Sequence, residues 1–125
     1  MKNKLTAKKL FIGLGLSVLA CQPSEKNTVN FQNSELNLVS ESRPKPYLLS
    51  EKEVLSIETR FYNGSDSAFV FQFLANYHYL ESEFGDTQTF YLKAGDSLTH
   101  TSIHTQVDFK ENEGLVAEIK VLKVK

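Results

Sequence analysis

The stretch Ala68-Phe69-Val70-Phe71-Gln72-Phe73-Leu74 places a phenylalanine at every second position. Successive side chains of a β-strand point to opposite faces, so this spacing puts the three rings on one face. The residues between them are also largely apolar, which is typical of a strand that is buried on one face and nearly buried on the other. The stretch is therefore predicted to be the central strand of a hydrophobic core.

The sequence on both sides has the same period of two. Leu55, Ile57, Thr59 and Phe61 alternate with polar or amphipathic residues, which predicts a half-buried strand. Turn signals, such as Asn63-Gly64-Ser65-Asp66 and Phe84-Gly85-Asp86-Thr87, separate the apolar runs. Further strands are predicted at Tyr77–Leu80, Thr89–Leu92, Leu98–Phe109 and Leu115–Val124. Six or seven strands with turns between them predict a mainly β, small antiparallel β-sandwich.

A helix competes with the strand over Leu48–Tyr62. Ser50-Glu51-Lys52-Glu53 matches a capping box, and Val54, Ile57 and Phe61 would share one helical face. The β-branched and aromatic residues of Thr59–Tyr62 favour a strand. The strand is preferred, and the helix stays open as the alternative.

Length and charge limit the classes of function. The 125 residues suffice for one domain, and 14 basic residues nearly balance 15 acidic ones. Four lysines lie within the first 20 residues, so the remainder has ten basic and 15 acidic residues, a net charge near −5. That sign does not favour nucleic-acid binding, and anionic lipid headgroups would repel the chain. Cys21 is the only cysteine, so no disulfide and no thiolate metal site is expected.

The N-terminus has the three regions of a signal peptide. Residues 1–9 are basic, Leu10–Leu19 is apolar, and Ala20 is small. The apolar run is about half the ~20 residues that would span a bilayer. Val18-Leu19-Ala20-Cys21 resembles the bacterial lipobox. The resemblance implies a leader over residues 1–20, a lipid on the Cys21 sulfur, and attachment to a membrane of the cell envelope through that lipid.

The residue after the cysteine bears on which membrane holds the protein. Position 22 is Gln rather than Asp. By the sorting pattern of Gram-negative lipoproteins, which the lipobox resemblance brings in, Gln22 favours the outer membrane if the cell is Gram-negative.

The segment after Cys21 is predicted to be a flexible tether that ends at residue 46. Residues 22–46 are rich in Asn, Ser, Glu, Gln, Lys and Pro, with few apolar positions. Arg43-Pro44-Lys45-Pro46 is predicted to be a stiff, extended boundary. The β-sandwich is accordingly expected over residues 47–125.

Two turn motifs resemble those of a known architecture. Phe61-Tyr62-Asn63-Gly64-Ser65-Asp66 and the later Leu92-Lys93-Ala94-Gly95-Asp96-Ser97 are similar to motifs of bacterial immunoglobulin-like envelope domains. The resemblance implies an immunoglobulin-like sandwich. It implies no single activity, because that architecture has adhesion, assembly and ligand-binding roles.

The candidates for chemistry do not predict an enzyme or a cofactor. His100 and His104 have the spacing of a zinc pair on a helix, but on a strand four residues span about 13 Å. Both are expected to be exposed on the face opposite Ile103, and His78 is expected to be a half-buried strand histidine. Asp96, Ser97 and His100 are the residue types of a hydrolytic triad, without a nucleophile-elbow pattern around Ser97. The acidic residues Glu81, Glu83 and Asp86 are expected to be a solvated strand end.

Binding is therefore the predicted kind of function. Four tyrosines would form an exposed recognition strip for an envelope protein or glycan: Tyr62, Tyr77, Tyr79 and Tyr91. The alternative is a small-ligand or metal-binding domain that uses His78, His100 and His104, if folding brings them together.

Overall fold

The phenylalanine-rich stretch lies at the centre of a two-layered β-structure. The structure is a computed structural model, and it describes residues 28–124. It contains seven strands: β1 (Val29–Asn33), β2 (Leu38–Leu49), β3 (Lys52–Asn63), β4 (Phe69–Tyr79), β5 (Ser82–Leu92), β6 (Ser97–Asp108) and β7 (Leu115–Lys123). Every pairing is antiparallel, in sheets of order β1-β2-β3-β6 and β5-β4-β7. The predicted antiparallel sandwich of six to seven strands is confirmed.

The strand order is not that of an immunoglobulin constant domain. In that fold the first, second, fifth and fourth strands form one sheet, and the third, sixth and seventh form the other. Here the third strand stays in the first sheet, because the two residues Ser50 and Glu51 join β2 to β3 as a hairpin. The likeness to immunoglobulin domains therefore extends to the two-layer architecture.

The core is a cluster of aromatic rings between the two sheets. Phe61 of β3 is almost fully buried, and its ring centroid lies 5.3 Å from that of Phe71, 5.0 Å from Phe73 and 5.1 Å from Phe90. These separations are typical of tilted and edge-to-face aromatic pairs. The alternating side chains of the central strand are thus the inner face of β4, as the sequence predicts.

The strand alternative for Leu48–Tyr62 is confirmed. The residues of the capping box form a tight turn instead: Ser50 and Glu51 have φ values of 51° and 68°, between the paired residues Leu49 and Lys52. Two left-handed residues in a two-residue loop match the twist of the strands on either side. Pairing of β3 with strands on both of its edges outweighs the local helix signal.

The predicted boundary of the tether is wrong. β1 and most of β2 lie within residues 22–46, and Leu38 and Ser42 are fully buried. Few apolar side chains are needed here, because strand pairing satisfies the backbone and β1 covers one edge of the sheet. Pro44 and Pro46 follow Ser42, the residue of β2 that pairs with the start of β1. In this part β2 is an edge strand and tolerates a missing N–H. The predicted leader over residues 1–20 and Cys21 lie outside the described residues.

The turn predicted at Phe84–Thr87 is also wrong. These residues belong to β5, and the hairpin turn is at Leu80-Glu81, between the paired residues Tyr79 and Ser82. Leu80 takes the left-handed φ of 55° that this turn requires. Asp86, predicted to lie at a solvated strand end, instead points between the sheets.

β6 changes its inward face along its length. His104 pairs with Leu55 but Asp108 pairs with Val54, so three additional residues bulge out of β6 at this point. An odd number of inserted residues reverses the faces. Leu98, His100, Ser102 and His104 therefore face inward before the bulge, and Val107 faces inward after it. The two histidines lie opposite Ile103 as expected, but the expectation that they are exposed is wrong, because their face points inward and Ile103 is the side that is 42% exposed.

Candidate functional site

A shallow groove crosses the outer face of the four-stranded sheet. It is formed by two rows of side chains on β2, β3 and β6, which we call the Tyr62 groove: Val39, Tyr62 and Ser97 in one row, and Glu41, Arg60 and Thr99 in the next. These residues are side by side because the register pairs Tyr62 with both Val39 and Ser97. Tyr62 is 47% exposed and Val39 is 40% exposed. The groove thus offers an aromatic ring and an aliphatic side chain to solvent beside charged and hydroxyl groups.

The charges of the groove are unequally satisfied. The Glu41 carboxylate lies 3.2 Å from the Arg43 guanidinium, in an ion pair. Among residues 28–124, Arg60 has no ion-pair partner, and it is exposed. A guanidinium of this kind binds carboxylate or phosphate groups with two parallel hydrogen bonds. The groove can therefore hold an apolar group on Tyr62 and an anionic group on Arg60 together.

The predicted strip of four tyrosines is not formed. Tyr77 and Tyr79 share the parity of the buried phenylalanines on β4, and their exposures are 1% and 0%. Tyr62 and Tyr91 are exposed, but they lie on the outer faces of different sheets. Of these four tyrosines, Tyr62 lies in the groove, beside the exposed Val39 in its own row and the exposed Arg60 in the next.

The three histidines do not converge. His78 lies on the outer face of β4, where its Nδ1 is 3.2 Å from a carboxylate oxygen of Glu83. His100 and His104 lie on the inner side of β6, in the other sheet. In the part of the chain that the structure describes, no group of three or more His, Cys, Asp or Glu side chains is placed to hold a metal ion. The metal alternative needs a convergence that these positions do not provide.

A polar contact joins the two sheets where their edge strands β5 and β6 meet. His100 Nε2 lies 2.8 Å from Asp86 Oδ2, and these side chains are only 17% and 9% exposed. An ionised carboxylate only accepts, so the Nε2–H donates. Gln88 donates a second hydrogen bond to the other carboxylate oxygen at 3.2 Å. We call Phe84, Asp86, His100, Ser102 and His104 the β5–β6 seam.

The seam does not have the arrangement of a hydrolytic triad. Ser102 Oγ is hydrogen-bonded to His104 Nε2 at 3.0 Å, whereas Asp86 binds the other histidine. A triad needs the hydroxyl and the carboxylate on the two nitrogens of one imidazole. The triad considered from the sequence is also separated, since Ser97 is exposed and His100 faces the interior.

Burial shifts the pKa values of His104, which belongs to the seam, and of the neighbouring Tyr77. The His104 ring packs 4.2 Å from the Phe84 ring, and desolvation lowers its pKa below 6.5, although the Asp86 charge acts in the opposite direction. Burial likewise raises the pKa of Tyr77 above 10.0. The Tyr77 hydroxyl is buried and faces the hydroxyls of Thr59 and Ser42, which are hydrogen-bonded to each other at 2.8 Å.

We expect His104 to make the protein less stable as the pH falls through 6.5. The pKa of His104 is lower in the folded state than in the unfolded state, so the unfolded chain binds the proton first. The free energy of unfolding therefore decreases as the pH falls through 6.5 and levels off below the folded pKa. Urea unfolding at several pH values should show a smaller loss for His104→Gln than for the wild type. His78→Gln removes an exposed imidazole and is the control; equal pH dependence in wild type and His104→Gln would contradict the expectation.

No family model, curated protein or solved structure matches this chain. Within residues 28–124 there is also no helix with the length and apolar character needed to cross a membrane.

Proposed function

We propose that this protein is a lipid-anchored, non-enzymatic module of the cell envelope that binds another envelope macromolecule through the Tyr62 groove. The observation that carries the proposal is the groove itself, in which an exposed tyrosine lies beside an exposed arginine that lacks an ion-pair partner within the described residues. The inner faces of the sheets are filled by the core, so binding falls to an outer face.

A protein partner fits the groove better than a glycan does. Tyrosine and arginine are the residue types that most often dominate the binding energy of protein–protein interfaces. The adjacent Val39 adds an aliphatic contact, as in the apolar centre of a protein–protein interface. The partner would present an apolar side chain to Tyr62 and a carboxylate to Arg60.

Truncating the tyrosine should test the binding face. We expect Tyr62→Ala to weaken binding about tenfold or more, because hot-spot truncations cost about 2 kcal/mol and above. Tyr91→Ala is the matched control, since Tyr91 is also exposed but lies on the other sheet. Cross-linking in intact envelopes identifies the partner. The purified, free partner is then titrated against the wild type and each variant to measure the dissociation constant.

The outcome separates the classes of partner. Equal loss in both variants, or in neither, would contradict the groove as the binding face. Co-sedimentation with isolated peptidoglycan that depends on Tyr62, without a cross-linked protein, would replace the protein partner by a glycan.

The anchor is tested separately at Cys21. The lipobox resemblance of Val18-Leu19-Ala20-Cys21 supports a diacylglyceryl group on this cysteine. Intact mass and membrane fractionation of the wild type beside Cys21→Ser should show lipid mass on the wild type and release or incomplete processing of the variant. An unmodified, released wild type would mean that the protein diffuses freely. The alternative, metal or small-ligand binding by His78, His100 and His104, would require side chains on the outer face of one sheet and the inner face of the other to meet.

A further inference from the structure

The hairpin between β2 and β3 exposes three consecutive apolar residues. Tyr47, Leu48 and Leu49 are 42%, 68% and 39% exposed, and Leu48 is more exposed than any other large apolar residue described. We call residues 47–51 the β2–β3 tip. Tyr47 and Leu49 point to one face of β2 and Leu48 to the other, so this end of the hairpin is apolar on both faces, which indicates a surface that something else covers.

The chain enters the domain from the side of this tip. β1 is antiparallel to β2 and runs from Val29, beside Ser42, to Asn33, beside Leu38. The start of β1 therefore faces the end of the sandwich where β2 finishes at Leu49. Six residues of β2 separate Ser42 from Leu48, a distance of about 20 Å along the strand.

The distance in sequence from Cys21 to Val29 is short. Eight residue steps span at most about 29 Å when fully extended. A lipid on Cys21 would therefore keep the start of β1 within about 29 Å of the bilayer. The long tether predicted from the sequence would have allowed the domain to stand clear of the membrane; the observed strand β1 removes most of it.

The charges around the tip do not favour an anionic surface. Lys45 is paired with Glu58 at 3.1 Å, and Glu51 and Glu53 add negative charge, so the tip carries no excess positive charge. Lys52 is also paired with Asp108 at 3.3 Å. Apolar insertion, with the tyrosine at headgroup level, would bind this tip without requiring anionic lipid.

A second copy of the chain is a poorer occupant. The edge of β2 between Ser42 and the tip is not covered by β1, and it contains Pro44 and Pro46. Neither residue has the N–H that an added strand would need, so this edge resists strand pairing.

We propose that the β2–β3 tip inserts into the headgroup region of the membrane that holds Cys21. This inference rests on the lipid anchor of the proposed function. Insertion would orient the domain, because Tyr62 lies ten residues along β3 from Lys52, or about 33 Å from the tip. The Tyr62 groove would then lie at the end of the sandwich farthest from the membrane, where a partner can reach it.

The chain contains no tryptophan, so a single introduced indole reports one position. The test uses the full chain with Leu48→Trp, recovered from bacterial membranes and reconstituted into phosphatidylcholine vesicles whose acyl chains are brominated. The matched control is Tyr91→Trp, which places the indole at a similarly exposed site at the other end of the sandwich. Flotation of the vesicles reports attachment independently of the fluorescence.

Insertion to a depth of about 5–10 Å should let the bromines quench about half or more of the Leu48→Trp emission, and little of the Tyr91→Trp emission. Flotation with equal, weak quenching in both chains would overturn the insertion and leave the anchor standing. Emission of the Leu48→Trp chain that shifts with protein concentration but not with bromination would assign the tip to a second copy. Failure to float would overturn both the anchor and the insertion that rests on it.

Discussion

Phe61→Ala should lower the free energy of unfolding by about 4 kcal/mol, within the range of about 3–5 kcal/mol for truncation of a buried phenylalanine. The ring contacts three other phenylalanine rings from the opposite sheet, Phe71, Phe73 and Phe90, so its removal leaves a cavity where the sheets meet. A domain of about 100 residues is stable by roughly 5–15 kcal/mol, so this loss removes a large part of the total. Urea unfolding followed by circular dichroism measures it.

Two variants control this result. Phe61→Leu fills part of the cavity and should cost about half as much. Tyr62→Ala changes the next residue along β3, whose side chain is half exposed on the outer face, and should have a much smaller effect. A loss below about 1 kcal/mol for Phe61→Ala would show that the sheets do not close around this ring.

Asn63→Ala should cost about 3 kcal/mol or more, because it removes four side-chain hydrogen bonds, one of them buried and three partly buried. Asn63 is fully buried at the end of β3. Its amide donates to the carbonyl of Ser67 at 2.8 Å and to that of Leu92 at 3.1 Å, and its Oδ1 accepts from the Ser65 N–H at 2.9 Å and hydroxyl at 2.7 Å. One side chain thus joins the β3–β4 connection to the end of β5, and thermal or urea unfolding measures its contribution.

Matched variants separate the hydrogen bonds from the substitution itself. Asn76→Ala makes the same change at an exposed position of β4 and should be nearly neutral. Asn63→Asp keeps the acceptor for Ser65 but loses both donors and buries a charge, so it should be at least as destabilising as alanine. If Asn63→Asp retained wild-type stability, the two carbonyl contacts would not be the source of the effect.

The same residue supports the Tyr62 groove. The Asn63 N–H donates to Asp96 O at 3.0 Å, and the Gly95 N–H donates to Asn63 O at 2.8 Å. These bonds hold the turn before β6 and so place Ser97 beside Tyr62. Asn63-Gly64-Ser65 also matches the N-glycosylation sequon. Burial of Asn63 makes this sequon inaccessible to a glycosylating enzyme once the chain has folded.

Residues with local signals were predicted well. The central strand, the inner faces of β3 and β4 and the sandwich class all follow from a period of two in the sequence, which depends only on neighbouring residues. The start of the domain was missed because β1 is short and mostly polar. Its place in the sheet depends on pairing with β2, which no local pattern records.

The candidate site was predicted less well. Tyr62 was identified, but its neighbours Arg60 and Val39 were not, since they meet only through the register of β2, β3 and β6. The inward turn of His100 and His104 depends on a bulge of three residues, and the contact of Asp86 with His100 depends on two edge strands from different sheets.

By itself, the sequence determined that this chain forms an antiparallel sandwich around alternating phenylalanines. The lipid on Cys21, which the lipobox resemblance implies, stays a prediction. Only the tertiary structure decided where the domain begins, which tyrosine lies in a groove, and at which end the apolar tip emerges. The physical reason is that the direction of a side chain within a strand is a local property. Its neighbours across the sheet are set by register, bulges and strand order, which arise from contacts between residues distant in the chain.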